Sequence, residues 1–258
     1  MGGRTAYAAT GPPVTRPGAA VRTGVGSGVP PHGTTCRRPA PPTICYPPSP
    51  PMTLPPAAAF ASPEPPIDAP LDVPALVAQF DAATADAEAL AAGLTETQAR
   101  WRPRPGAWSV AECVSHLAVL NRTYLDGFAR VVADSRAAGR TGRGPWRLGW
   151  FGRTFTRAMG PVTGRGLGRK LPAPAAYVPP SDVTLAAAMA DFRDVQQTLV
   201  ERVRAAEGLD LDGILVQSPA WPLLRFSLLT AFAALAAHER RHLAQARRVT
   251  ARPGFPAA

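Results

Sequence analysis

The sequence predicts an all-α fold: a four-helix bundle with a long crossover between its second and third helices. Three observations carry this expectation. Four segments repeat apolar residues at intervals of three and four, the spacing of one helical face. No segment shows convincing two-residue alternation of the kind a half-buried strand leaves. A stretch rich in Gly and Pro, residues 139–180, separates the second and third periodic segments and supplies the crossover.

The first helix is expected over Val73 to Ala92. Asp72 is of a capping type, Pro74 suits the first turn and Gly93 the stop, and Leu76, Val77, Phe80, Ala83, Ala87, Leu90 and Leu94 fall near helical spacing. The second is expected over Val110 to Ala138, opened by the capping-box pattern Ser109-Val110-Ala111-Glu112. Trp108 precedes the cap and can staple onto Cys113, and the apolar stripe runs Cys113, Leu117, Leu120, Tyr124, Phe128, Val131, with His116 on or beside it. Within the crossover, residues 147–158 suggest a short helix, and so long a connection in a compact domain is usually functional or mobile. The third helix is expected over Asp182 to Ala206 with Ser181 as cap. The fourth is expected over Leu223 to Thr250, with the stripe Leu224, Leu228, Ala231, Leu235, His238, His242, Gln245, Val249.

The chain ahead of these helices reads differently. The first 70 residues hold 18 of the 31 prolines, and residues 1–51 contain five Arg and no acidic residue. A segment so poor in large apolar residues cannot bury enough surface to offset chain entropy. Residues 1–66 are therefore expected to be a disordered tail, 67–252 the bundle and 253–258 a short tail. The basic, acid-free start has the composition of a transit peptide but lacks a signal-type apolar core, and its prolines interrupt any amphipathic helix. The preferred reading is that Met52 is the true start and residues 1–51 lie upstream of the translated protein.

The formal charge of +10 is local. Residues 139–181 carry Arg140, Arg143, Arg147, Arg153, Arg157, Arg165, Arg169 and Lys170 with no acid. Setting these eight and the five tail arginines aside leaves 15 basic residues against 18 acidic ones. The helical body is slightly acidic, so a nucleic-acid partner is not expected, although one basic loop can attract an anionic substrate or surface. The three cysteines, Cys36, Cys45 and Cys113, form no disulfide framework or zinc-type spacing. The longest uncharged apolar run, Phe226 to Ala237, is about a dozen residues, too short for a bilayer. No membrane association and a cytoplasmic location are expected.

Of four histidines, His32 lies in the tail and the other three fall on the expected core-facing stripes. His238 and His242 are one turn apart on one face and can chelate a single ion. His116 reaches a comparable depth if its helix is an antiparallel neighbour. Three imidazoles are a common set for a catalytic divalent metal with an open coordination position. Core histidines with hydrogen-bond partners explain the same positions, and spacing alone leaves both readings open.

The stretch Trp108-Ser109-Val110-Ala111-Glu112-Cys113-Val114-Ser115-His116-Leu117 resembles the W-S-x-x-E-x-x-x-H-L stretch of DinB-like proteins. That superfamily includes YfiT-type hydrolases, bacillithiol transferases and mycothiol-dependent maleylpyruvate isomerases. His238-Glu239-Arg240-Arg241-His242 resembles its C-terminal H-x-x-R-H stretch. Trp150-Phe151-Gly152-Arg153 and Pro179-Pro180-Ser181 resemble its middle region, so the resemblance spans about residues 72–251. It implies an up-down-down-up helix order and His116, His238 and His242 as ligands of one divalent metal, often zinc or nickel. It implies a thiol-dependent S-transferase or isomerase with a low-molecular-weight thiol as co-substrate. The alternatives are a metal-dependent hydrolase of the YfiT type and a non-catalytic, stress-related bundle that binds metal or nucleic acid. A small-molecule substrate and a homodimer are also expected from it.

Other residues admit two readings each. Arg241 can anchor an anionic substrate or stand as a solvated surface residue. Tyr124 can line the pocket or fill the core. Trp150, in the aromatic and Arg-rich segment from Trp146 to Arg157, can belong to a lid over the site or to an ordinary packed loop. Glu239 sits about 100° round the helix from the ligand face, which suits an exposed or supporting role better than that of a base. Glu112 is best explained by the capping box, and Cys113 as a small buried apolar residue.

Overall fold

A computed structural model describes residues 65–161, 174–221 and 223–257. The N-terminal tail, apart from its last residues, and the Met52 start therefore lie outside the described residues. The elements are α1 (Val73–Ala92), α2 (Glu96–Arg100), α3 (Val110–Ala137), α4 (Trp150–Met159), a 3-10 turn (Ala175–Tyr177), α5 (Leu185–Ala205), β1 (Leu215–Gln217), β2 (Arg225–Ser227) and α6 (Leu228–Thr250). The four long helices, α1, α3, α5 and α6, are those the periodicity predicts.

Local chemistry explains where they begin. The Asp72 carboxylate accepts from the Ala75 amide at 2.8 Å. At α3 the capping box closes, with the Glu112 amide donating to Ser109 Oγ at 3.2 Å and the Ser109 amide donating to Glu112 Oε2 at 2.9 Å. Two starts differ from expectation. α5 is capped by Thr184, whose hydroxyl accepts from the Ala187 amide at 3.1 Å, and not by Ser181. A carboxylate on the neighbouring α2 adds to that cap, because the Leu185 amide donates to Glu96 at 3.0 Å. α6 starts at Leu228, not Leu223, because Arg225–Ser227 pairs antiparallel with Leu215–Gln217 before Ser227 caps the helix. Each strand has three residues and one buried position, Val216 opposite Phe226. Such strands are too short for alternation to register.

Side-chain contacts fix the helix directions. Gln79 and Asp86 of α1 meet Arg240 and Arg247 of α6, so these two run parallel. His116 and Asn121 of α3 meet His238 and Glu239 of α6, and Phe128 meets Phe232, so these two run antiparallel. Arg122 of α3 pairs with Asp191 of α5, and Arg136 reaches the Ala205 carbonyl, so these two run parallel. The order is up-down-down-up. Since α5 starts beside the start of α3, the connection must travel back the length of α3, about 40 Å at 1.5 Å per residue.

Part of that connection is α4, which lies against α6. Gly152 permits the approach, since a Cβ there would stand 2.7 Å from Thr230 Oγ1. Gly139, just past the end of α3, has φ of +65°, which glycine adopts without strain. The largest apolar cluster fills the half of the bundle around Phe80, Phe128, Phe226 and Phe232, with the Phe128 and Phe232 rings in edge contact at 4.8 Å. Beyond α6, Phe255 packs edge-on to Trp101 at 5.6 Å and Gln98 Nε2 donates to the Pro256 carbonyl at 3.0 Å. Among the described residues no helix is long and apolar enough to cross a membrane.

Candidate metal centre

The site is built from the N-terminal part of α3 outward. Glu112 does more than close the capping box. Its carboxylate takes two bonds from Arg102, at 2.7 and 2.8 Å, and Arg102 also donates to the Ser181 carbonyl at 2.7 Å. This ties the loop before α3 and the segment before α5 to the first turn of α3. Desolvation acts to raise the Glu112 carboxyl. The Arg102 hydrogen bond, the Ser109 bonds and the Arg102 charge outweigh it and hold the group below its usual value.

One turn on, His116 points into the bundle. Its Nδ1 lies 2.7 Å from the Tyr177 carbonyl, in the 3-10 turn at the end of the crossover. A carbonyl only accepts, so Nδ1 carries the proton and Nε2 presents its lone pair inward. That Nε2 faces His238 Nε2 at 3.0 Å. The His242 ring, one turn along α6, lies 4.5 Å from that of His116 and 4.4 Å from that of His238, centroid to centroid. One ring nitrogen from each of the three lies within 4.8 Å of the others, and all three residues are buried.

Their environment suits neutral imidazoles. Burial lowers the His116 ring below its ordinary value against the opposing Tyr177 bond. Burial also places His238 and His242 well below theirs, assisted by the neighbouring rings and the Arg241 charge. Neutral imidazole is the ligating form. His238 Nδ1 and His242 Nδ1 are buried with no hydrogen-bond partner, whereas native interiors pair such atoms. A divalent ion fits this donor set. Two facing nitrogens need a proton or a cation between them, and His116 already has the carbonyl-held outer nitrogen typical of a ligating histidine.

Trp108 walls one side, its ring centroid 4.7 Å from that of His116 and 5.6 Å from that of His242. Its position before the cap suggested only a hydrophobic staple. It does join Cys113 in a small apolar cluster with Val110, Ala246 and Val249, and it also lies over the histidines. Cys113 is buried there, with its thiol pushed up by desolvation. It is a packing residue, as its neighbours in sequence suggested.

The remaining candidates scatter. Arg241 is half-buried and donates to the Ala158 carbonyl near the end of α4 at 3.0 Å, with its charge close enough to depress His238 and His242. Tyr124 is buried beside Phe128 at 5.4 Å, bonded to Ser218, its hydroxyl raised by burial to about 12. Trp150, at the start of α4, is 75% exposed. Glu239 is fully buried, not exposed, and accepts from Asn121 Nδ2 at 2.7 Å and Gln196 Nε2 at 2.9 Å. Burial raises it to about 8 against those two hydrogen bonds. Neither amide stood out in the sequence. The Tyr177 contact leaves no sequence signal, because it is made by the backbone.

An up-down-down-up bundle with three imidazoles gathered between an antiparallel helix pair defines a class of helical protein able to hold one metal ion through histidine alone. Residues 79–246 match the family model described as the DinB superfamily, and the chain belongs to that superfamily. No curated protein and no solved structure matches it.

Proposed function

We propose that this protein is a metal-dependent enzyme in which His116, His238 and His242 hold one divalent ion, zinc, nickel or a similar metal. We further propose that it transfers a low-molecular-weight thiol to, or uses it to isomerise, a small anionic substrate. The convergence of three buried, neutral imidazoles carries the reading. Such an ion would supply the charge that keeps a bound thiol as its thiolate at neutral pH.

One feature of this chain favours thiol chemistry over hydrolysis. Glu239, the carboxylate adjoining the ligands in sequence, is engaged by Asn121 and Gln196 and is not offered as a base for water. On this reading the nucleophilic sulfur comes from the co-substrate, because the protein's own Cys113 thiol is buried and pushed up by desolvation. Arg241, beside His238 and His242, would orient the substrate's negative charge. Trp108 would exclude water from one side of the histidines.

The test is metal content of the purified full chain beside the triple variant His116→Ala, His238→Ala, His242→Ala, followed by thiol-consumption assays. Near one equivalent of metal, lost in the variant, together with turnover that needs an added thiol, supports the reading. Turnover of simple esters or amides without thiol would replace it with a hydrolase. Absence of metal after reconstitution with zinc, nickel and manganese would leave a non-catalytic bundle.

A further inference from the structure

Next to the histidines lies a second buried polar group that metal binding does not explain. The Glu239 carboxylate, on α6, is fully buried and is reached by Asn121 from α3 and Gln196 from α5. Gln196 Nε2 also donates to the Phe80 carbonyl of α1 at 3.1 Å. Three long helices therefore meet at one carboxylate, one residue from His238, and the fourth, α1, is joined to it through the Gln196 amide. The arrangement is not an economical way to gain stability. Burying a carboxylate is expensive even when hydrogen-bonded. The two amides also leave Asn121 Oδ1 and Gln196 Oε1 buried without partners. An apolar contact would hold the helices together at lower cost, but it would not fix their rotation and register, because apolar packing is not directional.

We propose that Glu239 is a positioning residue for the metal centre: by accepting one directional hydrogen bond from α3 and one from α5, it fixes the rotation and height of α6 so that His238 and His242 meet His116. The inference rests on the metal reading above. Glu239 is not one of the three grouped ligands: it lies about 100° round the helix from His238, and its carboxylate is taken by Asn121 and Gln196. It acts through the backbone turn it shares with His238.

The test compares metal-stripped full-length wild type with E239L, E239Q, N121A, Q196A and, as a destabilised control, F232A. Zinc affinity is read by competition titration and coordination by the visible spectrum of the cobalt-loaded protein. E239L is expected to weaken zinc binding 10- to 100-fold, the range for loss of groups that support metal ligands, and to alter the cobalt spectrum. E239Q is expected to stay within about threefold of wild type, because both hydrogen bonds can be kept. Gln196, pinned by the Phe80 carbonyl, still donates to the new amide oxygen, and Asn121, reversed, offers its free Oδ1 to the new amide nitrogen. F232A should lose stability with no change in zinc affinity or spectrum, which separates positioning from general destabilisation. Should E239L fail to fold, N121A and Q196A carry the test, each removing one arm and weakening binding several-fold.

Wild-type affinity and spectrum in E239L, or in both single-arm variants, would overturn the proposal. So would an E239Q as weak as E239L, since charge and not hydrogen-bonded register would then govern binding. A wild type that takes up no metal would overturn the metal reading and this inference with it.

Discussion

The two halves of α6 both bury side chains in the bundle and are chemically opposite. From Leu228 to Ala237 the helix is apolar apart from Thr230 and packs into the cluster around Phe128, Phe226 and Phe232. From His238 onward the same helix buries two imidazoles, a carboxylate and a guanidinium within five residues. The first half is what folding alone favours, since each apolar group leaves water and gains contacts. The second half contains groups whose burial opposes folding unless each is partnered, and two of its ring nitrogens have no partner. Burial alone therefore does not mark the site. What marks it is burial that works against stability.

The largest effect is expected where the apolar half is cut. Phe232→Ala should lose roughly 3–5 kcal/mol of unfolding free energy while keeping its metal, read by denaturant titration and metal analysis side by side. Loss of metal at equal severity would mean that the two halves are one unit and would break the contrast. In the polar half the effect should differ. His238→Leu removes one buried unpartnered nitrogen, Nδ1, and also the Nε2 contact to His116, two opposing effects, so the metal-free protein should stay within about 1 kcal/mol of wild type while metal stoichiometry falls toward zero. A loss of several kcal/mol in the metal-free form would show that the contact to His116 outweighs the unpartnered nitrogen and that His238 serves the core as much as the metal.

Metal itself sharpens the contrast. At one hundred times the dissociation constant it should stabilise the wild type by about 2.7 kcal/mol and His238→Leu not at all, measured by thermal unfolding with and without added zinc. The smallest effect lies at the start of α3. Ser109→Ala should cost about 1 kcal/mol through loss of its cap.

Glu112, beneath the same cap, adds a pH dependence whose direction follows from its lowered carboxyl. The folded state holds the group ionised more firmly than the unfolded chain does, whose value is near the ordinary 4.5. Its stabilising contribution is therefore complete above that value and is lost as the pH falls through the lower folded value. The stability gap between wild type and Glu112→Gln should be constant from pH 7 to about 5 and close below it. A gap unchanged down to pH 3 would mean that the Arg102 pair contributes no net stabilisation.

Much of this was legible in the sequence because each long helix needs one continuous apolar face. The histidines were legible because no others occur in the folded region. The cap of α5 was not, since Ser181 and Thr184 are both of capping type. The Ser181 carbonyl is taken by Arg102, and Glu96 from α2 supports the later start. The hairpin before α6 offers one buried residue per strand and so leaves no pattern. For Glu239 the sequence left an exposed and a supporting role open, and its burial excludes the first. A residue 100° from the ligand face would be exposed on a helix with one covered side, but α6 is packed by α1, α3, α4 and the hairpin. Its partners Asn121 and Gln196 are distant in sequence and read as ordinary polar residues until the fold brings them together.

The bond from His116 to the Tyr177 carbonyl has a consequence for how variation is tolerated here. The group that selects which nitrogen of His116 faces the centre belongs to the main chain, so every residue type carries it. Replacing the Tyr177 side chain can disturb packing but does not delete that acceptor. A scan of single substitutions would leave this determinant of the centre largely invisible, while a one-residue insertion or deletion within the 3-10 turn Ala175–Tyr177 would move the carbonyl and change which nitrogen His116 presents. That turn should therefore tolerate changes of sequence better than changes of length.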